Sequence, residues 1–287
     1  MQGFNDVILN NYRSKTFHLD SRLRLRSERE AVKFVNERGF IFFWPVKNIL
    51  LPSLWKATVG DREVPNNHDD PGHITWNWKD DLLGKKKLYY GRILCSRNVF
   101  LSLTMLPFFY ALSPNYGDPE NDYLIQYQQG SMSLEIKMVY EALLKVGPLN
   151  TLDLRRVAKL SNETNASRFS HALDILQADF RILPIGIAEA GTWHYAFIYD
   201  AVHRHFPDLI QESGEISPSF ARSVLLSSYF KSVGACQIKD LLRIFKWQQS
   251  VLFSTLEKLI AEKIVFCEKA STLAKSDWLV SKELLNK

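Results

Sequence analysis

The segment from Met132 to Tyr199 most constrains the fold, because its pattern predicts three helices followed by a β-hairpin. Its helical part repeats apolar residues every three to four positions, and its last part alternates apolar and polar residues. The two predicted strands run from Arg181 to Ala188 and from Trp193 to Tyr199, across a turn at Glu189-Ala190-Gly191. This order is typical of a winged helix, a small module whose third helix enters the major groove of DNA.

The three helices have predicted boundaries and a predicted core face. Gly147-Pro148 ends the first helix, Thr151 is the expected cap of a second helix through Leu160, and a turn at Ser161 to Asn165 precedes the third. The residues expected to face the core are Ile136, Val139, Tyr140, Leu143 and Leu144 in the first helix and Phe169, Ala172, Leu173 and Leu176 in the third.

A weaker copy of this pattern occupies Ser217 to Ser281. Gly147 and Gly234 stand 87 positions apart, as do two further pairs of apolar residues, which indicates a weak internal repeat. We therefore predict a mainly helical α+β fold with tandem winged helices at residues 131–210 and 211–287. Residues 1–130 are predicted to form an N-terminal helix plus a β region, with a degenerate winged helix as one interpretation.

The first 130 residues carry one clear helix and several short apolar elements. Ser27 and Glu30 form a predicted capping box at the start of a helix that ends at Gly39. Strands are expected at Leu88 to Cys95 and at Val99 to Leu106. Residues 113–131 are rich in turn formers, and we expect them to be a linker.

The charge of the chain suits an anionic partner without demanding one. Lys and Arg number 36 against 31 Asp and Glu, which gives a net charge of +5. Residues 1–130 carry 17 cations and 14 anions, and residues 131–287 carry 19 and 17. Because neither half is strongly basic, any surface for nucleic acid must be formed by folding.

Several classes of protein are disfavoured by what the sequence lacks. Its three cysteines are far apart and have no C-x-x-C spacing, which argues against a disulfide framework and a zinc finger. The polar N-terminus does not resemble a signal peptide, and no apolar run reaches the roughly 18–20 residues of a membrane span. Serine hydrolase, Walker and Rossmann motifs are also missing. We expect a cytoplasmic protein with reduced thiols, no cofactor and no membrane association.

Double-stranded DNA is the expected partner, and polar side chains near each predicted third helix are its expected contacts. For these residues a solvated charged face is the alternative interpretation, and winged helices also serve as protein-interaction modules. The candidates are Arg155, Arg156, Asn165, Ser167, Arg168 and His171 in the first module and Lys246, Gln248 and Gln249 in the second.

Residues 75–81 combine two tryptophans, a lysine and two carboxylates. An exposed tryptophan could stack a base while a carboxylate positions water, and nearby lysines could contact phosphate. The alternative is an amphipathic strand with both tryptophans in the core, which a spacing of two favours, followed by a soluble lysine-rich turn. The catalytic candidates are Asp80 and Asp81, and the added DNA-contact candidates are Trp76, Trp78, Lys79, Lys85, Lys86 and Lys87.

The loop from His68 to His73 is a candidate metal site, since two imidazoles flank two carboxylates. Turn chemistry explains Asp70, Pro71 and Gly72 equally well, and no other histidine cluster supports a metal. We therefore predict no metal.

Segments around the helices of both predicted modules resemble the AlkZ-like winged-helix DNA glycosylases. The resemblance lies in Leu143-Leu144-Lys145-Val146-Gly147-Pro148-Leu149, Ser232-Val233-Gly234-Ala235-Cys236 and the helix from Leu256 to Glu262, and it extends over roughly residues 28–285. It implies a DNA-repair fold in which winged helices cradle a duplex and release alkylated or crosslinked bases.

The resemblance also implies a catalytic motif, Gln-x-Gln or Gln-x-Asp, shortly after a glycine that ends an N-terminal helix. Gly39 matches that glycine, but the motif positions then hold Phe42 and Trp44, which can neither orient nor activate water. Gln126-Tyr127-Gln128 has the right letters but lies far downstream, so the role is not carried onto it.

Three interpretations of function remain open from the sequence. The leading one is a DNA-binding protein related to repair glycosylases, with damaged or alkylated DNA as substrate and hydrolysis of an N-glycosidic bond as the reaction if it is an enzyme. The alternatives are a non-catalytic transcriptional regulator and a protein-interaction module without affinity for DNA.

Overall fold

A computed structural model describes residues 5–66, 69–191, 194–267 and 273–285. About half of the chain is helical and its strands form small antiparallel sheets, so the mixed α+β class is confirmed. The α-helices are α1 (Asp6–Thr16), α2 (Glu28–Arg38), α3 (Leu54–Val59), α4 (Ile74–Leu82), α5 (Leu106–Tyr110), α6 (Tyr123–Gln128), α7 (Leu134–Val146), α8 (Thr151–Val157), α9 (Ala166–Ala178), α10 (Val202–His205), α11 (Leu209–Gly214), α12 (Pro218–Val233), α13 (Ile238–Phe245), α14 (Gln249–Ala261) and α15 (Lys282–Leu285). The strands are β1 (Phe40–Phe42), β2 (Leu88–Leu94), β3 (Arg97–Ser102), β4 (Leu149–Asn150), β5 (Ile182–Ala188), β6 (Ala196–Ala201), β7 (Ala235–Gln237), β8 (Val265–Cys267) and β9 (Trp278–Ser281).

One order of elements, helix–strand–helix–helix–strand–strand, occurs three times along the chain. It is α2-β1-α3-α4-β2-β3, then α7-β4-α8-α9-β5-β6, then α12-β7-α13-α14-β8-β9. The second and third occurrences fall where the sequence predicts three helices and a hairpin. The first falls in the N-terminal region, where the sequence predicts one helix and a β region.

Contacts divide the chain into two compact units, and the sequence predicts three successive segments with boundaries at residues 130 and 210. The first unit contains Met1–Trp78, Val99–Met105 and Pro218–Lys287, and the second contains Lys79–Asn98 and Leu106–Ser217. The N-terminal residues therefore contribute to both units, whereas the predicted division follows the order of elements along the chain.

In the first unit, helices pack on short antiparallel strands around an aromatic core. β1 pairs with β3, with Phe40 opposite Leu101, and β9 lies between β7 and β8. Phe40, Phe42 and Trp55 are at most 1% exposed. Helix α1 binds the end of α12 through a hydrogen bond, which Arg13 Nε donates to the carbonyl of Val233 at 3.0 Å.

In the second unit, α7, α8 and α9 enclose an apolar core beside the sheet β4-β6-β5. Leu144 packs at the edge of this core, and the other predicted core residues of α7 and α9 are buried in it. Helix α8 begins differently from the prediction, because the side chain of Asn150 rather than Thr151 accepts the backbone N–H groups of Leu152 and Asp153. The helix also ends at Val157 and does not continue to Leu160.

Two further expectations are corrected. Residues 113–131 are not a simple linker, because they contain α6 and because Asp122 and Gln126 are buried in the second unit. Residues 74–82 form helix α4, so the expected strand with two tryptophans is wrong. In a helix, positions two apart point in different directions, and accordingly Trp78 is 8% exposed whereas Trp76 is only half-buried.

Candidate nucleic-acid interface

Helix α9 in the second unit separates an apolar face from a polar face. Phe169, Ala172 and Leu176 are buried against the core. Ser167 and His171 are exposed on the other side, and Asn165 at the helix start is half-buried. Arg168 is exposed on the same side, since 65% of its side chain is accessible although it pairs with Glu135 at 3.1 Å. This face offers hydroxyl, guanidinium and imidazole groups, which are the side chains that bind phosphates and base edges.

The two arginines of α8 differ in what they do. Arg155 holds the following turn in place, because its guanidinium donates to the carbonyls of Leu160 at 2.8 Å and Asn162 at 2.7 Å. Arg156 is 75% exposed and pairs with Asp153 at 2.7 Å. Of the two, Arg156 is therefore the better placed to contact a phosphate, since a surface ion pair of this kind contributes little and is readily exchanged.

The start of α14 in the first unit is polar and exposed. Lys246 has a left-handed backbone with φ 55° at the end of α13, and its side chain is exposed. Gln248 and Gln249, which begin α14, are exposed as well. This surface carries one cation and two amides, so it is less basic than the equivalent surface of α9.

The run Lys85, Lys86 and Lys87 lies in an exposed loop of the second unit, between α4 and β2. The loop is held against β5 by Gly84, since a Cβ atom added at Gly84 would lie 2.4 Å from the carbonyl oxygen of Ile185. The three lysines are thus presented to solvent from a backbone that is fixed at its start.

Lys79, Asp80 and Tyr195 form a polar cluster in the second unit, in which Lys79 is buried, Asp80 is half-buried and Tyr195 is exposed. Lys79 Nζ lies 2.6 Å from Asp80 Oδ1 and donates to the hydroxyl of Tyr195 at 2.5 Å, and that hydroxyl donates to Asp80 Oδ1 at 2.9 Å. Burial lowers the pKa of Lys79, whose side chain is 1% exposed, although contact with Asp80 opposes this effect. Asp80 keeps 24% of its side chain exposed, and Asp81 is exposed.

This cluster changes the interpretation of residues 75–81. Lys79 and Trp78 are buried, and the structure gives both a packing role rather than a surface that a duplex could reach. Asp80 is instead a carboxylate held in place by two neighbouring polar groups. Tyr195 could not be predicted from a local pattern, because it lies 116 positions from Lys79 in the chain.

An aromatic cluster in the first unit occupies the region after Gly39. The rings of Trp44 and Trp76 meet edge to face at 5.4 Å, and His73 lies 5.7 Å from Trp76. Phe42 is fully buried, and Trp44 Nε1 is buried without a hydrogen-bond partner among the described residues. Neither side chain can hold a water molecule for attack, as their chemistry predicts.

Among the described residues, no group of three or more His, Cys, Asp or Glu side chains is arranged to hold a metal ion. His68 of the candidate metal loop lies outside the described residues. Asp70 instead pairs with Arg62 at 2.5 Å, and this contact lowers the pKa of Asp70 to about 2. Within the described part of the chain, none of the helices combines the length and the apolar character needed to cross a lipid bilayer.

Comparisons with known proteins point to one family. A family model described as AlkZ related matches residues 25–246. A solved structure of the Streptomyces sahachiroi DNA glycosylase AlkZ is similar in fold, with a TM-score of 0.56 and 10% sequence identity over 96% of this chain and 69% of that chain. No curated protein matches the sequence.

Proposed function

Because the chain belongs to the AlkZ-related family, we propose that it binds double-stranded DNA through tandem winged helices and acts on damaged or alkylated DNA. The match over residues 25–246 carries this proposal, since it spans most of the chain. The fold likeness to a protein named as a DNA glycosylase is consistent with a role in DNA repair. At 10% identity that likeness concerns the fold.

The recurring order of elements supports the winged-helix part of the proposal. In the second and third occurrences, the last two strands are an antiparallel pair, β5 with β6 and β8 with β9. The preceding helices, α9 and α14, bury one face and expose polar residues on the other. A helix of this kind before a hairpin can insert into the major groove, and the hairpin can then contact the neighbouring backbone.

If the protein is an enzyme, Asp80 is the carboxylate best placed to activate water. Lys79 and Tyr195 both contact its Oδ1 atom, which leaves Oδ2 to accept a proton. In the proposed reaction a water oxygen bonds to C1′ of the deoxyribose, the C1′–N bond breaks, and the base leaves with the bonding electron pair. The carboxylate takes the proton of the water.

A non-catalytic DNA-binding regulator is the second candidate, and one observation favours it. Phe42 and Trp44 stand where the resemblance places the glutamine motif, and both belong to apolar surroundings. A regulator would bind one preferred operator and would release no base.

An abasic-site assay on an alkylated duplex separates the two candidates. If Asp80 is catalytic, the wild-type protein should release bases. The Asp80→Asn variant should then release them at a rate lower by about a hundredfold or more. Asp81→Asn serves as the matched control, since Asp81 is exposed and makes none of the contacts described for Asp80. Full activity in the Asp80→Asn, Asp81→Asn double variant would remove the assignment of Asp80, and no activity in the wild type would favour the regulator.

A further inference from the structure

A row of arginines in the first unit lines a groove that is separate from the surfaces described above. The segment Arg22-Leu23-Arg24-Leu25-Arg26 and helix α2 enclose about 480 Å³. We call it the arginine groove and define it by Arg22, Arg24, Arg26, Lys33, Glu30 and Glu37.

The main chain fixes the arginine-bearing segment in two places. The N–H of Leu25 donates to the carbonyl of Ala57 at 2.9 Å, and the Leu25 side chain is 5% exposed. The N–H of Arg26 donates to the carboxylate of Glu30 at 2.7 Å. Because Leu25 points inward, Arg24 and Arg26 on either side of it are exposed.

The guanidinium of Arg24 packs against the backbone of Gly60. A Cβ atom added to Gly60 would lie 2.6 Å from Nη2 of Arg24, so the guanidinium packs directly on the glycine backbone. A side chain that is held in this way loses less conformational entropy on binding a ligand than a freely rotating one.

Three carboxylates at the groove already contact a cation or a backbone N–H group. Asp20 pairs with Arg22 at 2.7 Å, Glu37 lies 3.8 Å from Lys33, and Glu30 accepts the backbone N–H of Arg26. In the part of the chain that the structure describes, the guanidinium groups of Arg24 and Arg26 make no ion pair. The groove therefore has an excess of positive charge and two planar donors available to an anion.

We propose that the arginine groove binds the phosphate backbone of DNA. This inference rests on the proposed function, since DNA is the polyanion that the rest of the molecule is proposed to hold. Guanidinium groups donate two parallel hydrogen bonds to one phosphate, and each phosphate that is neutralised releases bound counterions. The groove would thus add affinity without sequence preference and would extend the contact beyond the α9 and α14 surfaces.

The test measures the affinity for a fluorescein-labelled random-sequence duplex as a function of salt, between about 50 and about 200 mM. The Arg24→Gln, Arg26→Gln variant is compared with wild type and with Lys239→Gln, Lys282→Gln. The control residues are exposed in the same unit outside the groove, and their replacement removes the same charge. Thermal unfolding checks that all three proteins are folded.

We expect the groove variant to lose on the order of tenfold in affinity per phosphate contact at about 0.1 M salt. The slope of the logarithm of its binding constant against the logarithm of the salt concentration should decrease in magnitude by about 2. The control variant is expected to keep the wild-type slope within about half a unit. A groove variant with the slope of its control would overturn the proposal while the proposed DNA binding stands. Absence of any salt-dependent binding by the wild type would overturn both.

Discussion

At the scale of single residues, Arg181 explains why residues 113–131 are ordered rather than a linker. Its side chain is fully buried, and Nη1 donates to Asp122 Oδ1 at 2.7 Å while Nη2 donates to Gln126 Oε1 at 3.1 Å. The guanidinium also lies 5.3 Å from the centre of the Tyr140 ring. Gln126 therefore has a structural role in holding Arg181.

Removing Arg181 should be among the most damaging single changes in the second unit. Arg181→Met leaves the carboxylate of Asp122 buried without its cation, so we expect a loss of about 3–5 kcal/mol in the free energy of unfolding. Urea unfolding measures this loss. The double variant Arg181→Met, Asp122→Asn should recover part of it, because the buried negative charge is gone. Equal stability of the single variant and wild type would contradict the role of the pair.

Asp179 predicts a pH dependence of stability. Burial raises the pKa of Asp179 to about 6, although Arg181 opposes the shift. Since its pKa in the unfolded chain is near 3.8, the protonated carboxyl favours the folded state fully below about pH 4, and this contribution is lost as the pH rises through about 6. Because the residue is only half-buried, we expect Asp179→Asn to be more stable than wild type by about 1–2 kcal/mol at pH 7.5 and about equal to it near pH 4.

Melting temperatures measured from pH 4 to pH 8 test this prediction. Asp208→Asn is the matched control, since Asp208 is exposed and its side chain caps no backbone group at the start of α11. The control should follow the wild-type curve. A curve for Asp179→Asn that also follows wild type would show that this carboxyl does not titrate with a raised pKa.

At the scale of elements, helical periodicity identified most of the core, and turn chemistry was less informative. The apolar residues of α7 and α9 were predicted because spacings of three and four persist over several turns. The spacing of two between Trp76 and Trp78 favours a strand, but this segment of nine residues forms helix α4. In so short a segment, contacts with other parts of the chain decide the structure.

Gly84 shows how one position fixes an element. It has φ 72°, and an added Cβ would meet the backbone oxygen of Ile185 at 2.4 Å, which no side-chain rotation can relieve. We expect Gly84→Ala to cost about 2–5 kcal/mol, from the left-handed backbone and the overlap together.

Gly117→Ala is the control for Gly84→Ala, since Gly117 has φ 89° but no atom within 4 Å of an added Cβ. It should cost only about 1–2 kcal/mol, because it has the backbone strain without the overlap. Chemical denaturation of both variants gives the difference. Equal losses of stability in the two variants would show that the backbone of Gly84 does not pack closely against Ile185 of β5.

At the scale of the whole molecule, the sequence predicted the mixed α+β class and the AlkZ-related family, whereas the division into two compact units has no local signal. The β-hairpins and helices have local signals, whereas the two compact units combine segments far apart in sequence. The cluster of Lys79, Asp80 and Tyr195 is hidden for the same reason, because its members come together only on folding. The even distribution of the +5 charge likewise conceals the arginine groove.

The proposed function requires that this chain bind DNA and distinguish damaged from intact duplex. The most direct test compares binding to a random-sequence duplex, the same duplex with an abasic-site analogue, and a single strand, each at two salt concentrations. We predict salt-dependent binding to both duplexes, with tighter binding to the duplex that carries the analogue. Equal binding to the two duplexes would contradict recognition of damage, and no binding to any of the three would contradict the proposed function as a whole.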